Sequence, residues 1–583
     1  MSLSNREIAD VFERCADMLQ IRGDNIHRVL SYRRAAESIR SLTRDLRVIA
    51  NDGNLTDISY IGKTIAAKID EMLDTGELEF YSKLKDEVPE GLVDIMCING
   101  VGPKKAKLFW EQLDITSIDE LRIAADGEKL AGLPGMGKKS QQKIIEGIEA
   151  LARQTGRASI GDAKPAAQGI LDLLLKLPEA QDGALAGSIR RGRETIGDVD
   201  ILIAADESGP IMQRFVTMEN VSRALGHGPT KSSVELLSGL QVDLRVLPKA
   251  RWGTALCYFT GSLAHNVKMR QIALDHGLSL NEHALSPVDE NKTIIEAADK
   301  ILCDSEEKVY ETLGLQYVPP ELREDSGEIE AARAHRLPRL IKRADIVADL
   351  HMHTTWSDGK NTIREMVEAC LKRGHQYIVI TDHSRSLGIA NGLSVERLLA
   401  QAEEVRQINN EMGETIQVLA GTEMDIKADG SLDYPDDVLA QLDFVIASLH
   451  SGLSQKRDQV TRRLLNAIRN PYVRMIGHPS ARQFPNRDEV DADWDAVLAA
   501  AAEQHTILEI NANPLRLDLK PELARLAKDS GVLLAINTDA HRVAHLDLME
   551  FGIANGRRGW VEARHVVNTW SYERFRQWLH NIS

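Results

Sequence analysis

From Ile346 onward the chain repeats one unit: a short apolar run, a residue of metal-ligand type at its end, then a helical stretch. Ile346-Val-Ala-Asp-Leu leads into His351, His353 and Asp358, and Tyr377-Ile-Val-Ile-Thr leads into Asp382-His383. Val418-Leu-Ala-Gly-Thr leads to Glu423, Phe444-Val-Ile-Ala-Ser-Leu to His450, Met475-Ile-Gly to His478, and Leu533-Leu-Ala-Ile-Asn-Thr to Asp539 and His541. Strands alternating with helices, with polar residues gathered at strand C-termini, fit a parallel barrel whose site lies on that face. His351 and His353, two apart on a strand end, face one side. A lone histidine is usually a satisfied core residue, but nine His, Asp and Glu residues at strand ends predict a metal ring. Imidazoles mixed with carboxylates suit manganese, zinc or iron better than magnesium alone, and such cations acidify a bound water.

A second constellation lies upstream. Gly187-Ser188-Ile-Arg190-Arg191-Gly-Arg-Glu194-Thr-Ile-Gly197 runs into Asp198-Val199-Asp200-Ile201-Leu-Ile. In a strand Val199 and Ile201 share one face, and Asp198 and Asp200 share the other at roughly 6.5–7 Å. Two carboxylates so placed repel unless cations sit between them. Two divalent ions about 3.5–4 Å apart are what in-line nucleotidyl transfer uses. Gly187-Ser188 lets backbone approach a phosphate, and Arg191 can take phosphate oxygens bidentately. Asp243, in the alternating run Gln241-Val-Asp243-Leu-Arg245-Val, supplies a third acid. An Asp-x-Asp alone would read as a solvated edge strand; with the Gly-Ser turn and the arginines it predicts a nucleotidyltransferase site.

The first part of the chain reads as helical. Ser4-Asn-Arg-Glu7 is a capping box ahead of Ile8, Val11, Phe12, Cys15 and Leu19 at helical spacing. Arg28, Arg33, Arg34, Arg40, Arg44 and Arg47 form a basic tract, either a solvated helix face or a surface for DNA phosphate. Ile61-Gly62-Lys63, Gly100-Val-Gly102-Pro103-Lys104 and Gly135-Met-Gly137-Lys138 each place a tight turn before a helix rich in lysine. Backbone amides at such helix starts are ready phosphate sites. One Gly-x-Gly is more often a plain turn; the repetition resembles helix-hairpin-helix motifs, which hold the DNA backbone without reading bases. The first copy has Tyr60 where a glycine is usual.

Residues 187–200 resemble the palm signature of the family X DNA polymerases, the group of polymerase beta. Tyr258-Phe259-Thr-Gly261-Ser with Asn266 and Arg270 is similar to that family's nucleotide-pocket and thumb segment. The resemblance implies that Asp198, Asp200 and Asp243 bind two magnesium ions, with Asp243 assisting the primer hydroxyl. It implies that Gly187, Ser188, Arg191 and Gly197 hold the triphosphate, that Tyr258, Phe259, Gly261 and Asn266 line sugar and base, and that Arg270 lies against the template side. Gln241 stands where animal members carry a basic residue near the primer end. Lys68 matches the family's Schiff-base lysine for abasic deoxyribose, with His27 and Tyr32 nearby; a lysine snorkelling over Ile65, Ile69 and Met72 explains it as well.

The order His-x-His, Asp, His, Glu, His, His, Asp-x-His resembles the PHP domain, named for polymerase and histidinol phosphatase. It implies that His351, His353, Asp358, His383, Glu423, His450, His478, Asp539 and His541 hold manganese or zinc for phosphodiester hydrolysis, as 3′–5′ exonuclease and in some members abasic-site endonuclease. The whole chain resembles the bacterial family X polymerases, in which this domain follows the polymerase core. The expected architecture is multidomain α and α/β. A helical lyase-like domain spans 1–90 and a helical fingers-like domain 91–155, both with helix-hairpin-helix motifs. The nucleotidyltransferase palm spans 156–250, the thumb 251–320, a Pro-punctuated linker 321–345 and a distorted TIM-like PHP barrel 346–583.

At 583 residues the chain exceeds one core. The five cysteines, Cys15, Cys97, Cys257, Cys303 and Cys370, form no C-x-x-C pair, as suits a reducing compartment. With no apolar run of membrane length and no signal peptide, a cytoplasmic monomer is expected. A net charge of −16 argues against sequence-blind coating of DNA and for short contacts through a local basic groove. The expected partners are gapped or primed DNA and deoxynucleoside triphosphates. Three rivals share features: a nucleotidyltransferase for tRNA or a small molecule, a DNA-end-binding scaffold with only the PHP nuclease active or with neither site turning over, and a phosphatase of small esters.

Overall fold

The computed structural model describes residues 5–42, 46–96, 98, 101–127, 129–137, 140–145, 157–412, 415–484 and 487–581. They form two compact units, Met1–Gly156 and Arg157–Ser583.

The first unit is helical. Its long opening helices, Asn5–Arg22 and Ile26–Ser41, pack on each other through Phe12, Cys15, Leu19, Tyr32 and Ile39. Helix Lys63–Thr75 starts at Gly62 and helix Pro103–Leu113 at Gly102, and neither start is capped by a side chain. Tyr60 adopts a φ of 66°, and Gly135 in the third turn adopts 74°. The first turn therefore keeps the left-handed geometry although a tyrosine pays for it in strain.

In the second unit the palm is a five-stranded sheet. Its strands are β1 (Asp182–Leu185), β2 (Asp198–Ala204), β3 (Val221–His227), β4 (Lys231–Leu236) and β5 (Gln241–Leu247), in spatial order β1-β2-β5-β4-β3. β2 and β5 run parallel at the centre, in a register that sets Asp198 opposite Gln241 and Asp200 opposite Asp243. Val199, Ile201 and Ile203 fill the core beneath, with Ile170, Leu174 and Phe215 of the covering helices. The thumb follows with helices Trp252–Thr260 and Leu263–Asp275. The stretch expected to be a linker is packed: Leu322, Ile329, Ala332 and Leu340 lie in the thumb core, and Ile341 joins the barrel core.

The barrel has seven parallel strands in sequence order: β6 (Ala348–Asp349), β7 (Tyr377–Ile380), β8 (Gln417–Asp425), β9 (Phe444–Ser448), β10 (Val473–Gly477), β11 (Ile507–Asn511) and β12 (Leu534–Asn537). A parallel bridge between Met352 and Ala540 brings the first strand to the last, so the sheet nearly closes. The runs are continuously apolar because both faces are covered. Ile378 and Ile380 pack among the helices outside, whereas Tyr377, Val379, Leu419 and Phe444 form a separate cluster with Phe575 and Leu579 of the C-terminal helix. Glu423 follows Leu419 by four residues on the same strand face. The apolar floor and the polar mouth are thus one inner surface.

Arg323 is fully buried where palm and thumb meet. It pairs with Glu306 at 2.5 Å, and Arg190 grips the same carboxylate through both terminal nitrogens at 2.8 and 2.7 Å. Burial alone would raise the Glu306 carboxyl; the arginines hold it at about 2 instead. Replacing Arg323 by Met leaves Glu306 half-compensated, and we expect the larger unit to lose about 3 kcal/mol, near the lower bound for breaking a buried pair. A urea midpoint equal to that of the wild type would contradict this.

Candidate functional site

The palm site follows from the register of β2 and β5. Asp198 is exposed at the strand start, Asp200 half-buried and Asp243 buried. Burial and the neighbouring Asp198 and Asp243 charges push the Asp200 carboxyl up to about 6. Burial acts the same way on Asp243, but hydrogen bonds from Lys231, Gln241 and Ser233 outweigh it and hold that carboxyl below its usual value. Lys231 Nζ lies 2.6 Å from Asp243 Oδ2. Gln241, the departure noted in the sequence, donates to Asp243 Oδ1 at 3.1 Å. A carboxylate that resists ionisation between two others is the electrostatic mark of a cation site.

Gly187 has a φ of +63°, and a Cβ there would lie 2.7 Å from Asp200 Oδ2. The glycine is thus required by the acid beside it as well as by any phosphate. Arg191 Nε donates to Glu324 at 2.8 Å and its Nη1 to the Thr260 carbonyl at 2.7 Å, which ties the signature loop to the thumb. Gly197 approaches Arg157, whose guanidinium lies 3.2 Å from where its Cβ would be. In the thumb, Asn266 donates to the carbonyls of Tyr258 at 2.7 Å and Gly261 at 3.2 Å, bracing the turn between the helices. Tyr258, Asn266 and Arg270 line one small recess, and the Arg245 guanidinium lies over the Phe259 ring at 4.2 Å.

In the barrel all nine predicted ligands meet at the strand C-termini. Their ligand atoms form three overlapping groups, His353-Asp358-His383-His541, His351-His353-Asp539 and His383-Glu423-His450, each within 4.8 Å. His478 joins through Nε2, 2.8 Å from Glu423 Oε1. Both Glu423 oxygens, His351 Nε2, both His353 nitrogens and His383 Nδ1 are buried without a well-aligned hydrogen bond, although His383 Nδ1 lies 2.8 Å from Glu423 Oε2. Buried polar atoms left unpaired are costly, and lone pairs converging on common centres fit divalent cations. The acids and imidazoles also shift one another. Burial, His383 and His541 bring His353 down to about 4. His450 is lowered by burial but carried to about 9 by Glu423 and Asp425. Burial raises Asp358, yet His541, His353 and His383 hold it at about 2. Beside the ring, a cavity of about 440 Å³ is lined by His450, Ser451, Gly452, Leu453, Arg487 and Asp488. Arg516 Nε lies 3.8 Å from Asp539 Oδ2. These arginines add positive charge beside the ring.

Two carboxylates were missed. Glu509 accepts from His351 Nδ1 at 2.7 Å and from the His478 backbone at 2.7 Å; Asp425 bonds His450 Nδ1. The available signal was the apolar run Ile507-Leu508-Glu509-Ile510, a strand ending like the others.

In the helical unit, Gly62, Gly102, Gly135 and Gly137 border open space and Lys104 is exposed, whereas Gly100 and Lys138 lie outside the described residues. Part of the basic tract is neutralised internally: Arg28 pairs with Asp24 and Arg33 with Asp17. Lys68 is half-buried with Nζ 4.1 Å from the Phe80 ring centre. Burial lowers its pKa. His27 lines a cleft of about 770 Å³ with Arg34, Tyr60 and Gly62. Among the described residues no helix is long and apolar enough to cross a membrane.

Comparison with known proteins converges on these regions. Residues 3–78 match a helix-hairpin-helix domain, 93–150 a SAM-like helix-hairpin-helix tandem, 255–324 the DNA polymerase beta thumb and 349–513 the PHP domain. The DNA polymerase/3′-5′ exonuclease PolX of Bacillus subtilis is 39% identical over 97% of this chain and 97% of its own length. A probable phosphatase of Caldicellulosiruptor bescii is 34% identical over 35% of this chain and 82% of its own, and rat DNA polymerase lambda is 28% identical over 55% and 56%.

A carboxylate behind a ligating histidine orients the ring and raises its basicity, and its loss costs about 10–100-fold in metal affinity. We expect Glu509→Gln to weaken manganese retention by that factor, measured by competition with a chelator. Wild-type retention would show that Glu509 serves the fold alone.

Proposed function

The chain belongs to the bacterial family X DNA polymerases that carry a PHP domain, and from that premise we propose that it fills short gaps in primed DNA during repair. It is a DNA-directed DNA polymerase with an associated PHP 3′–5′ exonuclease. The observation that carries the gap-filling reading is the β2–β5 register that places Asp200 beside Asp243, within reach of Asp198 and next to the thumb.

Asp198, Asp200 and Asp243 would hold two magnesium ions, which supply charge stabilisation at the attacking and leaving oxygens. Gly187, Ser188 and Gly197 let the triphosphate approach, and Arg191 exchanges Glu324 for phosphate oxygens. Tyr258, Phe259 and Gly261 border the sugar and base, Asn266 fixes their turn, and Arg270 meets the template side. The hairpins at Gly62, Gly100–Lys104 and Gly135–Lys138 take the DNA backbone. The nine barrel ligands would hold manganese or zinc, which supply an activated water and offset phosphodiester charge. Arg487 and Arg516 orient that phosphodiester. Abasic-site cleavage at the same ring uses the same bond chemistry.

Independence of the two sites gives the test. Asp198→Ala with Asp200→Ala should abolish gap filling and spare manganese-stimulated 3′ degradation. His351→Ala or Asp539→Ala should do the reverse. If both activities fall together in every variant, the assignment fails. The similarity to probable phosphatases favours one alternative for the barrel, hydrolysis of small monoesters. A preference for p-nitrophenyl phosphate over a DNA 3′ end would select it.

For Lys68 we propose β-elimination of a 5′-deoxyribose phosphate through a Schiff base, a chemistry that a lowered amine pKa serves. Borohydride should trap a covalent DNA adduct in the wild type and none in Lys68→Ala. An adduct that persists in the variant would return Lys68 to packing against Phe80.

A further inference from the structure

The loop that joins Arg191 to Asp198 is held from outside the palm. Glu194, at its middle, has a side chain only 14% exposed, and Arg558 Nη1 lies 2.8 Å from its Oε2. Arg482 Nη2 lies 3.8 Å from Oε1. Both arginines belong to the barrel half: Arg558 ends the helix Met549–Arg558, and Arg482 follows the ligand His478 by four residues. Arg558 also donates to the Gly192 carbonyl at 3.4 Å. Gly192 has a φ of +68°, and a Cβ there would lie 3.1 Å from Ala554 Cβ, so loop and helix touch at backbone distance. Arg482 in turn donates to the Leu517 carbonyl. Leu517 and Phe551, from the barrel half, are buried in the palm core.

We propose that Glu194 is a positioning residue for nucleotide addition, and that Arg558, assisted by Arg482, fixes through it the loop that carries the triphosphate contacts and the catalytic acids. The barrel is thereby part of the support of the polymerase site, while its metal ring serves a separate reaction. Position distinguishes this clamp from simple adhesion between the halves. Upstream of Glu194 lie Ser188 and Arg191, downstream lie Asp198 and Asp200, and the next residues, Thr195 and Ile196, are already paired to Ala158 and Ser159. A loop fixed at both ends transmits any shift at Glu194 to the groups on either side. By contrast, Lys164 and Glu550 also join the two halves, at 2.7 Å, but with side chains 32% and 52% exposed. Such a surface pair contributes little.

The inference rests on the palm assignment above, and the experiment separates the two. Full-length Glu194→Gln, Arg558→Met, their double variant and Glu550→Gln are compared in single-nucleotide gap filling with magnesium. Misplacement of aligned groups by a fraction of an ångström leads us to expect an apparent KM for the nucleotide raised about tenfold in each clamp variant. The double variant should lose less than the sum of the two single ones, because both remove the Glu194–Arg558 pair. Glu550→Gln should match the wild type, and the manganese-dependent nuclease should be unchanged in all four. A nucleotide KM within about twofold of wild type in the clamp variants, or additive losses in the double one, overturns the proposal. So does a nuclease that falls in step with gap filling, which would signal a general loss of fold. If the palm acid variant still extends primers, the palm assignment itself is at fault. If that variant is dead and Glu194→Gln is normal, only the clamp is.

Discussion

Carboxylates crowded together out of water are the constraint on which this molecule is built. In the palm, Asp198, Asp200 and Asp243 come together because β2 and β5 run parallel in one register, and burial together with its two neighbours makes Asp200 resist ionisation. In the barrel, Glu423, Asp539 and Asp358 are surrounded by six histidines, His351, His353, His383, His450, His478 and His541. Folding takes Asp243, Glu423 and Asp539 out of solvent, and protons or cations then neutralise the charge. The two sites answer differently. The palm leaves Asp198 exposed at a strand start, with Lys231 and Arg245 near the acids, and the barrel encloses its acids in imidazole. The first site offers carboxylate oxygens alone, and the second offers nitrogen and oxygen donors together.

Around these sites the support is made of arginine. Arg190 and Arg323 converge on Glu306, Arg191 ties the signature loop to Glu324, and Arg558 with Arg482 holds Glu194. Arg190, Arg191 and Glu194 lie on the short segment that carries Gly187 and Gly192, and each is held by one of these pairs. A planar guanidinium with several donors restrains position and orientation together, which a lysine does not. Within the larger unit, the palm loop is accordingly positioned by both the thumb and the barrel half.

Much of this was legible in the sequence. The apolar runs ending in His, Asp or Glu named a parallel barrel and the nine side chains that gather at its mouth, though not the strand Ile507–Asn511, because a buried parallel strand reads as a continuous apolar run and its C-terminus faces the site. The alternation of Asp198-Val199-Asp200 gave the face of the palm acids, since a strand's period is two whatever its partner. The left-handed turn at Tyr60 illustrates the same point, for a tyrosine there adopts a φ of 66°, the region that favours glycine.

What the sequence could not settle is what depends on distant partners. Glu509 and Asp425 are ordinary strand-end acids until the fold sets them behind His351 and His450. Arg191 has a free fork in the sequence and a carboxylate, Glu324, in the structure. Residues 321–345 read as a charged, Pro-punctuated linker, yet Arg323 and Glu328 are buried in the thumb. Glu194 lies hundreds of positions from the arginines that grip it, and local pattern carries no information across such a separation. Period and composition thus determined which residues share a face and which chemistry they can support, because those properties are local. Which charge neutralises which was decided only by tertiary packing, because ion pairs form in space between strands and domains that the sequence does not align.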